Sequence, residues 1–240
     1  MDIDIKIEII DQLKDNYAYL LYSKKNNKAI VFDPAEADSI INFLNLNNLS
    51  LEGILVTHHH ADHTSGIKNL LNYKKTKVFS PSEKIDNTTN VIKNNSIINF
   101  DFINFTVFAS PGHTLDHVIF YNKKNNLLFC GDVIFSLGCG RIFEGTYEQM
   151  YDSLNKLKKL PKDTKIYCGH EYTLKNSLFC SEHDPFNKNL EKKISKIKLQ
   201  LKKELPTIPS TIDEELACNI FLRAKNLKDF SKLRDLKDNS

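Results

Sequence analysis

Residues 54–63 read Ile54-Leu55-Val56-Thr57-His58-His59-His60-Ala61-Asp62-His63. The apolar start predicts a buried strand, and the polar run marks its exit. On an extended backbone alternate side chains point the same way, so His58 and His60 can face one ion. Where the chain turns, Asp62 and His63 can swing toward a second. Ligands split in this way suggest a two-metal site, and such sites activate water for hydrolysis. The run is internal and broken by an aspartate, which does not suit an affinity tag.

Further ligand candidates stand at similar strand exits. His113 follows Pro111-Gly112, Asp132 follows Cys130-Gly131, and His170 follows Cys168-Gly169. A preceding glycine lets the chain turn tightly and aim the side chain. Read alone, Asp132 would be a turn residue, and His113 or His170 a buried structural histidine. With the 58–63 motif present, ligation is the better reading, and Asp132 is the natural bridge between two ions. The donors are nitrogen and carboxylate oxygen, a mix that favours zinc, iron or manganese over calcium. His59, His117 and His183 lack this context and are left out. Asp33, at the end of a neighbouring strand, could accept a hydrogen bond from a ligating ring or cap the following helix.

The chain has 240 residues and 41% hydrophobic content, enough for one large domain or two small ones. No run approaches the ~20 apolar residues that span a bilayer. The first residues, Met-Asp-Ile-Asp-Ile, do not resemble a secretory or transit signal, so a cytoplasmic location away from membranes is expected. A net charge of +3 gives no argument for nucleic acid. Lys192, Lys193, Lys196, Lys198, Lys202 and Lys203 read as the solvated face of an amphipathic helix. Cys130, Cys139, Cys168, Cys180 and Cys218 are odd in number and form no Cys-x-x-Cys pair, which fits a reducing compartment. Cys168 lies two residues before His170, but a catalytic thiol there is the weaker reading.

Alternation of Ile3, Ile5, Ile7 and Ile9 predicts a half-buried strand. Strands are also expected at 17–22 and 29–32, joined by a turn at Asn26-Asn27, then at 51–56, 77–79, 98–108, 117–121, 127–130 and 166–168. Helices are expected over 35–48 and about 63–72, and behind the capping box Thr146-x-x-Gln149. Beyond His170 no strand is predicted. Leu190, Ile194, Ile197 and Leu201 mark one helix, and Thr211-x-x-Glu214 caps another carrying Leu216, Ile220 and Leu222. The chain therefore reads as a mixed α/β domain over residues 1–170, followed by a helical domain over 171–240.

The spaced set of His58, His60, Asp62, His63, His113, Asp132 and His170 resembles the metallo-β-lactamase superfamily. More narrowly, the chain is similar to glyoxalase II, the hydroxyacylglutathione hydrolases. Gly138-Cys139-Gly140-Arg141, Gly169-His170-Glu171-Tyr172-Thr173, Pro209-Ser210-Thr211 and Phe221-Leu222-Arg223 carry the narrower likeness in family order. It implies an αββα sandwich with a small helical C-terminal domain. By the same likeness His58, His60 and His113 bind one metal and Asp62, His63 and His170 a second. Asp132 bridges them, so Asp132 and Asp62 are the catalytic carboxylates. Arg141, Tyr172 and Arg223, with Lys225 as a weaker candidate, fall where the family holds glutathione. Phe143 stands where relatives often have Tyr, and Ile220 replaces a Pro common before Phe-Leu-Arg.

The implied cofactors are two divalent ions, zinc first, with iron or manganese as alternatives. The implied partner is a small-molecule glutathione thioester, acted on by a monomer. The reaction is hydrolysis of S-2-hydroxyacylglutathione, typically S-lactoylglutathione, to glutathione and D-lactate, the second step of methylglyoxal detoxification. Other readings are a one-iron sulfur dioxygenase acting on glutathione persulfide, an RNA-processing nuclease of the superfamily, and a non-catalytic metal-binding protein. The helical tail, the lack of a phosphate-binding arm or strong basic clustering near the site, and the full ligand set respectively speak against them.

Overall fold

The computed structural model describes residues 5–240, so Ile3 of the first expected strand lies outside the described residues. Two compact units are present. One takes the chain to Ala109 together with Asp116–Lys123; the other takes Ser110–Leu115 and Lys124–Ser240.

The first unit begins with strands β1 (Ile5–Gln12), β2 (Asn16–Ser23) and β3 (Lys28–Phe32). Helix α1 (Asp38–Leu46) leads to β4 (Ser50–Leu55), and α2 (Ala61–Thr64) and α3 (Ile67–Tyr73) lead to β5 (Lys77–Ser80) and β6 (Asn90–Val91). These strands form one sheet in sequence order. Its first two pairings are antiparallel and those from β3 onward are parallel. The hairpin between β2 and β3 turns through Asn27, which takes a positive φ of 52° as a short polar side chain tolerates. β7 (Ile97–Phe100), β8 (Ile103–Ala109) and β9 (Val118–Asn122) make an antiparallel meander. The expected strand over 98–108 is thus a hairpin.

Both faces of the six-stranded sheet are covered, which explains why β2 is buried along its whole length. Ala18, Leu20, Ala29, Val31, Ile54 and Val56 pack with Ile40, Leu44, Ile67 and Leu70 of α1 and α3. On the opposite face Phe32 meets Phe105 and Phe120 edge-on at 5.4 and 5.5 Å, all three buried. The helix expected over 63–72 is broken at Ser65-Gly66. A Cβ on Gly66 would lie 2.8 Å from the Pro34 carbonyl, so the break lets the chain close on the loop after β3.

In the second unit β10 (Leu127–Gly131) pairs in parallel with β13 (Lys165–Cys168), and β11 (Ile134–Phe135) with β12 (Gly138–Cys139) forms a small hairpin. Helix α4 (Tyr147–Leu157) starts at the expected capping box, with Gln149 N–H donating to Thr146 Oγ1 at 3.1 Å and Thr146 N–H donating to Gln149 Oε1 at 2.9 Å. Helices α5 (Thr173–His183), α6 (Lys188–Lys202), α7 (Ile212–Cys218) and α8 (Leu227–Asp238) follow. One short strand, β14 (Ser210–Thr211), pairs with β13, so the stretch beyond His170 is not purely helical. Thr211 caps α7 as expected, but the helix ends at Cys218, leaving Ile220 and Leu222 buried in the loop beyond it.

Lys193 corrects the reading of a solvated lysine face. Its Nζ is buried and donates to Glu215 Oε1 at 2.7 Å. Burial pulls the ammonium toward neutrality, yet Glu215 and Glu214 outweigh it and hold its pKa above the ordinary value. The other oxygen of Glu215 accepts Leu137 N–H at 2.8 Å and Asn219 Nδ2 at 2.9 Å. Asn219 Nδ2 also donates to the Gly138 carbonyl at 2.9 Å. One buried carboxylate thereby ties α6 and α7 to the turn of the β11–β12 hairpin. Glu215→Ala would take the close partner from buried Lys193, leaving it only Glu214 Oε2 at 3.4 Å, so a loss of about 3–5 kcal/mol in urea unfolding is expected. A loss below ~1 kcal/mol would contradict this role.

Candidate metal centre

In the first unit the parallel register pairs Phe32 with Leu55, which sets Asp33 beside Thr57. Asp33 takes φ +49°, and its carboxylate accepts Thr57 N–H and Thr57 Oγ1–H, both at 2.7 Å. It does not cap α1, whose N-cap is Ala37. With the Thr57 proton given to Asp33, Thr57 Oγ1 can accept from His58 Nδ1, 3.0 Å away. This fixes the ring and directs the Nε2 lone pair of His58 outward. That Nε2 lies 3.1 Å from His60 Nδ1. His63 Nδ1 lies 3.2 Å from Asp33 Oδ2, and its Nε2 is 3.7 Å from Asp62 Oδ2. Asn16 Nδ2 steadies Asp62 through a 2.9 Å bond to Oδ2. The four expected ligands of the 58–63 motif are therefore gathered, and Asp33 stands behind two of them.

His117, which nothing in its sequence context marks, also belongs to this cluster. Its ring is buried and stacks on His58 at 4.7 Å with 17° between planes. No glycine precedes it, and its proximity arises from pairing of the 57 and 118 backbones, where Val118 N–H donates to Thr57 O at 2.9 Å. His59 turns outward, with Nδ1 3.0 Å from Asp116 Oδ1.

In the second unit His113 Nδ1 hydrogen-bonds the Arg141 carbonyl at 2.7 Å, so Nδ1 carries the proton and Nε2 the lone pair. That Nε2 is 3.4 Å from Asp132 Oδ2, and His170 Nε2 is 3.3 Å from the same oxygen. The glycines are required here. Gly112 has φ +150°, and a Cβ on Gly140 would fall 1.9 Å from the Asp132 carbonyl oxygen. Gly169 N–H donates to the Gly131 carbonyl at 2.9 Å, which brings His170 alongside Asp132.

The donor set fits a divalent ion. The lone pair of His113 Nε2 faces a carboxylate oxygen, and two electron-rich atoms at this distance repel unless a positive charge lies among them. All donors are imidazole nitrogen or carboxylate oxygen, as zinc, iron and manganese accept. Cys168 is no catalytic thiol: it is buried, and that burial pushes its pKa up to about 12.

The expected substrate contacts meet different neighbours within this unit. Arg141 is exposed with its guanidinium 5.6 Å from the Phe143 ring, and Phe143 meets His113 edge-on at 5.2 Å. Tyr172 stacks flat on His170 at 4.7 Å. Arg223 lines a groove of about 350 Å³ with His183, Lys232 and Leu236, where its guanidinium is ion-paired to Asp184. Lys225 is exposed.

Because Asp33 orients Thr57 and lies beside His63, Asp33→Ala is expected to weaken metal binding about 10–100-fold, measured by competition with a chromogenic chelator. Unchanged affinity would show that the ligands hold their geometry without it.

The profile described as the metallo-beta-lactamase superfamily matches residues 13–170, and that of the hydroxyacylglutathione hydrolase C-terminus matches residues 171–240. A hydroxyacylglutathione hydrolase of Pelagibacter ubique is 50% identical over 98% of this chain and 100% of its own length. One from Prochlorococcus marinus is 42% identical over 94% and 93%. Among solved structures, ETHE1 from Myxococcus xanthus superposes with a TM-score of 0.73 over 96% of this chain and 90% of its own, at 22% identity, a likeness of fold. The chain thus belongs to the hydroxyacylglutathione hydrolases of the metallo-β-lactamase superfamily and has their α/β sandwich fold with a helical C-terminal part.

Proposed function

We propose that His58, His60 and His113 take one divalent ion and Asp62, His63 and His170 a second, with Asp132 shared between them. Support comes from the donor chemistry of the two clusters and from family membership. Zinc is the ion we favour, with iron and manganese meeting the same donor requirements. The enzyme is a thioester hydrolase that cleaves S-2-hydroxyacylglutathione, with S-lactoylglutathione as the substrate and glutathione and D-lactate as products, the second step of methylglyoxal removal. The observation that carries this reading is the hydroxyacylglutathione hydrolase C-terminal match over residues 171–240, beside the histidine and aspartate clusters.

When bound, the ions supply a water acidic enough to attack at neutral pH and an electrophile for the carbonyl oxygen. The chain's own residues do the rest. The Arg141 carbonyl holds the ring proton on the far side of His113, which leaves its Nε2 with the lone pair, and Asp33 Oδ2 lies 3.2 Å from His63 Nδ1. The leaving group is a thiolate whose conjugate acid has a pKa of ~8.5, so no strong proton donor is needed. Glutathione carries two carboxylates, and the planar forks of Arg141 and Arg223 suit them. Phe143 offers no hydroxyl where relatives often have one, so its part is apolar.

We take the protein to be a cytoplasmic monomer. The five cysteines are all free and buried, in keeping with a reducing compartment. Among the described residues no helix is long and apolar enough to cross a membrane. Light scattering on the purified chain checks the monomer.

Chelation is expected to abolish hydrolysis of S-lactoylglutathione, and zinc, iron or manganese to restore it. Asp132→Asn is expected to stay inactive under the same reconstitution. Activity that survives chelation would overturn the reading, as would oxygen consumption with glutathione persulfide in place of hydrolysis.

A further inference from the structure

Arg141 projects from the segment just after β12 and is 60% exposed, yet three groups restrict it. Its backbone carbonyl accepts the His113 ring proton at 2.7 Å. Its guanidinium lies over the Phe143 ring. Its Nε is 3.7 Å from Asp238 Oδ1, near the end of α8. Asp238 is itself fixed. Arg234, one turn earlier on α8 and only 4% exposed, donates from Nη2 to Asp238 Oδ1 at 2.8 Å. The Nη1 of Arg234 donates to the Cys139 carbonyl at 2.9 Å, so the same guanidinium grips the backbone two residues before Arg141. Phe221 lies under it at 5.1 Å.

We infer that Arg234 and Asp238 form a clasp on α8 that positions Arg141 for the carboxylate of the thioester substrate. The inference rests on the reading of Arg141 as a substrate anchor. The geometry gives the clasp a direction. Asp238 takes the Nε side of Arg141 and Phe143 takes a face. The Nη1–Nη2 edge has no partner among the described residues and is the edge that can meet a carboxylate in a bidentate pair. A long exposed arginine otherwise samples many rotamers, and ordering it would fall on the binding step. Asp238 does not replace the substrate, because it occupies a different side of the fork. Arg234 is not interchangeable with lysine, since a point charge cannot hold the Cys139 carbonyl and Asp238 together.

The test is steady-state kinetics on S-lactoylglutathione with the metal-loaded enzyme, using Asp238→Asn, Arg234→Lys, Arg141→Ala and the double variant of Asp238→Asn with Arg141→Ala. Asp238→Asn is expected to raise KM roughly two- to tenfold, the scale of one ordered side chain, while kcat holds. Arg234→Lys is expected to shift KM in the same direction. In the Arg141→Ala background, Asp238→Asn is expected to add nothing, because the residue it positions is gone. If Arg141→Ala leaves KM unchanged, the anchor reading fails and the clasp with it. If Arg141→Ala raises KM but Asp238→Asn has no effect, or adds its full effect in the double variant, the clasp is overturned and the anchor stands.

Discussion

The architecture depends on bringing electron-rich atoms together and leaving a cation to reconcile them. His113 Nε2 and His170 Nε2 both approach one oxygen of Asp132 at 3.3–3.4 Å. In the apo chain this arrangement is costly, because the desolvated Nε2 lone pair of His113 and a carboxylate face each other. The surrounding structure is built to hold it. Glycines occur where any side chain would collide, and the Arg141 carbonyl removes the choice of tautomer at His113. Metal binding therefore contributes to folding free energy as well as to chemistry.

The same logic recurs behind the 58–63 motif. One buried carboxylate, Asp33, organises a backbone N–H, a hydroxyl and the neighbourhood of an imidazole within 3.2 Å. It acts through Thr57 on His58, so the orientation of that ring is set by a residue outside the histidine cluster. Glu215 does comparable structural work in the helical part of the second unit, where it holds the turn that precedes Gly140 and Arg141. In both places a single acid at the centre of several donors fixes a loop that carries functional side chains, which is stronger than scattered surface pairs would be.

The gathering of the histidines and aspartates was legible because it follows local rules. Alternation pointed His58 and His60 the same way, and glycine before His113 and His170 announced a tight turn. The capping box at Thr146 and Gln149 was equally local. What escaped notice was set by partners distant in sequence. His117 joins its cluster through pairing of chain segments sixty residues apart, and nothing in its neighbours announces that. Lys193 lies on a helix whose lysines otherwise suggest a solvated face, and only the position of Glu215 makes it a buried cation. β14 is two residues long, too short for any periodicity, and exists only because β13 offers it an edge. The break at Gly66 answers the Pro34 carbonyl, a contact no helical pattern encodes.

A paired-ion centre formed by imidazole and carboxylate donors is what the proposed hydrolysis requires. Metal content by elemental mass spectrometry on the purified chain, dialysed free of loose ions, measures it directly. A value near two ions per chain is predicted, falling on Asp132→Asn. A value of one in the fully active enzyme would contradict the paired centre.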